Sequence, residues 1–354
     1  QMFNIFNLRK YFIFYLIIFL FCEAYLRISR RGFNVQPINP SSYNHHEHPK
    51  NFQFRSYHPS KEWGDFLISF DEFGNRKIDG ICKKDDGFNS NIIFLGDSFT
   101  EAIQVSDKKS FSGLVQEELC EKKIKINNLG VTSYSPVLSY LQLKNQLKKN
   151  KNIKFKDSTI IHLLSERDAE DDTKYFKQIK VLNEKNSSSE TMFIDSKEKI
   201  SILKMLSRNL YTFRLFRRIL LTIKFSITEN KDQTNLPKTG SLFSSTDKCF
   251  LLNKDLKVTI KFINKIDSLL KNYGARYILM ALPDKPKNKE ITNYSCYKEI
   301  AINSKIQFID SPEEFFENPS KYYFPKDLHL NILGNKVLSN KIIQFVNSEE
   351  FNQI

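Results

Sequence analysis

The feature that most constrains this chain is a set of near-continuous apolar runs: Ile92-Ile93-Phe94-Leu95, Ile160-Ile161-His162-Leu163-Leu164 and Tyr277-Ile278-Leu279-Met280-Ala281-Leu282. A strand with one wet face alternates apolar and polar side chains. Runs without that alternation belong to strands covered on both faces, as in a parallel sheet between layers of helices. Strands are expected at Asn91–Leu95, Ile124–Asn128, Ser158–Leu164, Arg276–Leu282 and Gln307–Asp310. Between them the period changes. Phe111, Leu114, Val115 and Leu119 fall at helical spacing, so 110–122 reads as a helix. Further helices are predicted over 136–149, opened by Pro136, over 255–271, and over 332–346 with Asn331 as N-cap. Alternation of this kind makes an α/β fold.

The 354 residues suffice for one large domain with an appendage. Lys and Arg exceed Asp and Glu by 54 to 40, but the lysines are scattered and no nucleic-acid-binding signature is present, so nucleic acid is not expected as a partner. The five cysteines form no C-x-x-C pair. Cys22 sits in an apolar segment. Cys82, Cys120, Cys249 and Cys296 allow three pairings or free thiols. No metal site and no cofactor are expected. Gly96 belongs to no dinucleotide or Walker-type loop.

Arg9 and Lys10 precede an apolar stretch, Tyr11 to Cys22, that continues weakly to Ile28 past Glu23 and Arg27. With no small-x-small site after it, the segment reads as an uncleaved membrane anchor rather than a signal peptide. The basic residues that follow favour a cytoplasmic main domain by a plain charge count. Residues 29–69 are turn-rich, with Pro37, Pro40, Pro49 and Pro59, and read as a linker or strap. His45, His46 and His48 within it read as a solvated loop, since no Cys or carboxylate ligand is suitably interleaved. A long insertion is expected at about 173–250. Its centre, Lys197–Ser226, is a basic helical stretch with Leu206, Leu210, Phe213 and Leu220. Two readings stay open for it: a lid or membrane-surface helix, or a helix packed on the domain with its arginines in solvent. The stretch Thr228–Asp247 reads as a flexible loop.

The first expected strand ends in Gly96-Asp97-Ser98, which places a hydroxyl at the carboxyl edge of the sheet. A serine needs an adjacent base to become a nucleophile at neutral pH. Far downstream, Asp327-Leu328-His329-Leu330-Asn331 offers one: His329 as base and Asp327 as the group that orients it.

These residues resemble the SGNH (GDSL-type) hydrolase family. Its first block corresponds to Gly96-Asp97-Ser98, its second to Asn128-Leu129-Gly130-Val131, and its last to Asp327-Leu328-His329 with Gly334. The resemblance covers about residues 70–347. It implies a flavodoxin-like three-layer α/β/α sandwich, which the apolar run read above precedes with an N-terminal hydrophobic helix over 1–28. It also implies an oxyanion hole using the amides of Ser98 and Gly130. The chain departs from the family where the third block carries Asn, since Arg167 stands in that place within Ser165-Glu166-Arg167-Asp168. The Asp-x-His spacing is similar to that of SGNH enzymes of bacterial exopolysaccharide acetylation. The implied activity is cleavage of O-acyl esters on carbohydrate or other cell-envelope substrates. The alternatives are acyl transfer to a sugar, or a catalytically silent glycan-binding protein. The resemblance implies an extracytoplasmic main domain.

Overall fold

The near-continuous runs lie side by side in a five-stranded parallel sheet. Its strands are β1 (Ser90–Gly96), β2 (Ile124–Asn128), β3 (Thr159–Ser165), β4 (Arg276–Leu282) and β5 (Gln307–Ile309). They are paired in the order β2-β1-β3-β4-β5, the flavodoxin-like doubly wound arrangement. The helices along the chain are α1 (Ile5–Ile28), α2 (Ser98–Glu101), α3 (Phe111–Leu119), α4 (Pro136–Lys149), α5 (Asp168–Phe176), α6 (Ile202–Asn209), α7 (Tyr211–Glu229), α8 (Lys254–Lys271), α9 (Tyr294–Asn303) and α10 (Ile332–Val346). The structure is a computed structural model. It describes residues 5–352 apart from 35, 79, 83–86, 150–154, 184–189, 197–201, 230–253 and 284–293.

Two compact units are present. The larger takes Ile38–Phe52, Ile68–Glu198 and Lys238–Ile354, and the smaller takes Gln1–Pro37, Gln53–Leu67 and Lys199–Pro237. In the larger unit the sheet is covered on both sides. Ile92, Phe94, Ile161 and Ile278 face one layer, with Val115 and Leu119 of α3 and Leu338 and Ile342 of α10. Ile93, Leu95, Ile160 and Leu279 face the other, with Leu138 of α4, Phe262 and Ile266 of α8 and Tyr297 of α9. Full burial of each such side chain contributes about 1.5–3 kcal/mol, so these two layers dominate the stability of the unit. The expected three-layer α/β/α sandwich is the observed fold. Helices α5 and α9 were not expected. α5 begins Asp168-Ala-Glu-Asp-Asp, too polar for an apolar period, yet acidic side chains suit the first turn of a helix.

The histidine segment is not the solvated loop its sequence predicts. His46 and His48 are buried. Residues 39–40 and 46–47 form a short antiparallel ladder, and His45 N–H donates to Ile194 O at 2.8 Å. The cysteine question also resolves: Cys82 bonds Cys120, Cys296 is in a disulfide, and Cys22 is free and exposed.

In the smaller unit, Phe33 and Asn34 pair in parallel with Arg55 and Ser56. The basic stretch forms two helices, α6 and α7, rather than one. Within α1, Arg9–Ile28 is long and apolar enough to cross a membrane. Most of the expected loop Thr228–Asp247 lies outside the described residues.

Candidate active site

The nucleophile turn is built by close contact. β1 ends at Gly96, whose φ is +142°, a backbone region that side chains other than hydrogen rarely adopt. A Cβ there would come within 2.3 Å of Thr100 Oγ1 and 2.5 Å of Leu163 O. Asp97 follows as N-cap of α2, its Oδ1 accepting from Phe99 N–H at 2.9 Å. The first helical residue is Ser98. Its hydroxyl therefore stands at the carboxyl end of the sheet, where folds of this type keep their sites.

Ser98, His329 and Asp327 meet. Ser98 Oγ donates to His329 Nε2 at 2.7 Å, and His329 Nδ1–H donates to Asp327 Oδ2 at 3.1 Å. This fixes the tautomer a general base needs, with Nε2 free to accept. Burial pulls the imidazole pKa down. The hydrogen bond and charge of Asp327, with the charges of Asp97 and Glu101, outweigh that and hold it above its usual 6.5. Between acid and base, Leu328 has φ +67°, so the chain turns sharply there. The turn is closed by Phe324 N–H to His329 O at 2.8 Å and Leu328 N–H to Phe324 O at 3.2 Å. Asn331 caps α10 as expected, accepting from Gly334 N–H at 3.0 Å. The Phe99 ring lies 5.0 Å from the imidazole, centre to centre.

Several residues that hold this arrangement escaped sequence reasoning. Arg76 is buried and fully used. It donates to the carbonyls of Glu101 at 2.6 Å, Ala102 at 2.5 Å and Val105 at 2.9 Å, and pairs with Asp107 at 2.8 Å. Glu101, one turn after Ser98, accepts from Thr132 N–H at 3.1 Å, and its other oxygen lies 3.0 Å from His48 Nε2. That last contact has ion-pair distance without hydrogen-bond alignment. His48 Nδ1–H donates to Gly74 O at 2.9 Å, and His46 Nε2–H donates to Thr132 O at 2.8 Å. The strap thus clamps the loop that follows β2. No local sequence pattern marks these partners, because each contact joins distant segments.

Gly130 is brought against the nucleophile helix. A Cβ would lie 2.3 Å from Glu101 N, so glycine is required for the approach. Its amide is not the open donor that the resemblance implied: Gly130 N–H donates to Asn128 Oδ1 at 2.9 Å. Asn128 is itself held, donating to Thr100 O at 2.7 Å and Ser112 Oγ at 3.1 Å. Three residues on, Ser133 is exposed in the left-handed region at φ +58°. Arg167 sits exposed at the start of α5; nearby, burial holds the Asp171 carboxyl above its ordinary range, opposed by the charges of Lys174 and Arg167. Asp168, beside it, is buried. Burial and the charges of Asp97 and Asp172 push its carboxyl well up, while Ser165 N–H and Oγ–H donate to it at 3.0 Å each. Asp172 is pushed up to about 7 by burial, while accepting from Val137 N–H and Thr259 Oγ–H. Among the described residues, no three His, Cys, Asp or Glu side chains gather to hold a metal ion.

No protein-family model matches the chain, and no curated protein matches it. Solved structures do resemble it. A lipolytic protein of the G-D-S-L family from Veillonella parvula is 12% identical, with 73% of this chain and 100% of that one covered at a TM-score of 0.41. A catalytic mutant of Axe2, an acetylxylan esterase from Geobacillus stearothermophilus, is 13% identical, covering 74% and 96% at 0.40. LAE5, an alpha/beta hydrolase enzyme from the metagenome of Lake Arreo, Spain, is 11% identical, covering 74% and 98% at 0.40. Likeness at this level carries no functional weight, and the site stands on its own geometry.

Proposed function

We propose that the chain is a serine ester hydrolase that removes O-acyl groups from carbohydrate or other cell-envelope esters. The observation that carries this reading is the relay from Ser98 Oγ to His329 Nε2 at 2.7 Å and from His329 Nδ1 to Asp327 at 3.1 Å. In the reaction, Ser98 Oγ attacks the ester carbonyl as His329 takes its proton. The tetrahedral oxyanion collapses as the imidazolium protonates the leaving alcohol. Water then enters by the reverse proton path and frees the acid and the serine. Charge on the oxyanion needs amide donors. Since Gly130 N–H is bonded to Asn128, the backbone N–H of Ser98 is assigned that part. No cofactor takes part.

The same acyl-enzyme discharged onto a sugar hydroxyl would make the protein an O-acyltransferase, a reading favoured by the Asp-x-His spacing. A catalytically silent glycan-binding role is the third possibility. Full-length protein in detergent is to be assayed on a short-chain aryl ester beside Ser98→Ala and His329→Ala. Equal rates for all three would remove the enzyme reading. A labelled acyl donor, with and without glycan, separates hydrolase from transferase. Fluorophosphonate labelling of Ser98 separates both from the silent protein.

We place the larger unit outside the cytoplasm, with α1 as its membrane anchor. The Cys82–Cys120 disulfide supports this, because such bonds persist in oxidising compartments. Alkylation of those thiols in non-reduced cells would count against it.

A further inference from the structure

α7 wears its apolar stripe on the outside. Phe216, Ile219, Leu220, Ile223 and Ile227 recur at i, i+3, i+4, i+7 and i+11, and each is between 49% and 57% exposed. At about 100° per residue these five share a stripe roughly 100° wide. A helix of a soluble domain turns such a stripe inward. Here the inward face is made of other residues. Arg218 lies over the Phe33 ring at 3.9 Å, Arg214 donates to Ser207 O at 2.7 Å, and Phe225 packs edge-on against His58.

We propose that this stripe rests in the lipid–water interface of the bilayer that α1 crosses, so that α7 is a membrane-surface helix. The inference rests on the anchor reading of α1 and is independent of the esterase reading. Three observations select lipid as the occupant. First, α7 is continuous with the span: Glu23 in the last turns of α1 accepts from Tyr211 N–H at 3.0 Å, Thr212 N–H at 2.8 Å and Thr212 Oγ–H at 2.9 Å. This gives the one acidic residue of the apolar helix a physical role, as the cap and charge partner of the N-terminus of α7. Second, α1 is itself exposed and apolar around its circumference, from Tyr11 to Phe21, and long enough to cross a bilayer that would cover it. Third, Arg217 and Lys224 flank the stripe on one side and match anionic headgroups.

The test uses the full chain reconstituted in vesicles of three parts phosphatidylcholine to one part phosphatidylglycerol. A nitroxide is attached at Ile223→Cys and, separately, at Thr228→Cys, both in a Cys22→Ala background. The native free Cys22 carries the label in a third sample. Collision with oxygen and with a water-soluble nickel chelate is then measured. The expected result is a several-fold oxygen preference at 223 and at Cys22, with 228 favouring the chelate. A chelate preference at 223 with Cys22 in lipid overturns the proposal and leaves the anchor standing. Protection of 223 from both reagents means a second copy or another protein covers the stripe, and also overturns it. A chelate preference at Cys22 refutes the anchor and the proposal together.

Discussion

The two halves of the candidate site are built differently. The Ser98 half lies between buried segments and is fixed by polar contacts from four directions: Arg76 on three carbonyls, Glu101 on Thr132, His48 on Glu101, and Asn128 on Gly130. The His329 half is a partly exposed loop. Its turn is closed by two backbone bonds and it carries a left-handed leucine. Buried side chains tied by several polar contacts are held more firmly than open loops. Ser98 is therefore the fixed reference, and the His329 loop is the part freer to adjust.

Ser98→Ala and Asp327→Asn test whether the two halves work as one unit. Ser98→Ala should lower kcat on an aryl ester by about 10⁴-fold or more, with the melting temperature unchanged. Asp327→Asn should cost about 10³–10⁴ in kcat by loosening the tautomer. It should also move the acid limb of kcat/KM. In the native protein the rate rises as His329 loses its proton, at a pH above the usual 6.5. Without the Asp327 charge that limb shifts to lower pH, and an unmoved limb would show that His329 is not the base. Arg76→Ala sharpens the contrast in rigidity. It strips three buried carbonyls and Asp107 of their partner and should destabilise by about 3 kcal/mol, read by denaturant titration. A loss confined to activity would mean the nucleophile half is not held as described. Leu328→Gly is the mildest change. Relief of the left-handed conformation offsets the greater freedom of glycine, so stability should move by less than about 1 kcal/mol. The rate should fall several-fold as the base loop loosens.

The strands, and the segments that bring Ser98, Asp327 and His329 together, were legible because their signals are local. A run such as Ile92–Leu95 followed by Gly-Asp-Ser carries its meaning in seven residues. Predicted and observed strands agree to within a residue, as at Ile124–Asn128 and Arg276–Leu282. What stayed hidden depends on partners far along the chain. His48 reads as one of three loop histidines until Glu101 and Gly74 are seen around it. Gly130 reads as an amide donor until Asn128, two residues earlier, is seen to take the proton. Arg76 closes a turn in sequence but pins the nucleophile helix in space. Glu23 looks like a flaw in an apolar helix until Thr212 is beside it.

Asp172 sets a condition on where such a protein can work. Its carboxyl releases a proton near 3.8 in an open chain but only at about 7 once folded. Between those values the folded form holds more protons, so resistance to unfolding declines as the medium turns from acid toward neutral, then levels off. In the proposed reaction His329 asks for the reverse, since a general base must shed its proton. The contribution of this one carboxyl to durability and the readiness of that imidazole therefore move in opposite directions as the medium turns alkaline.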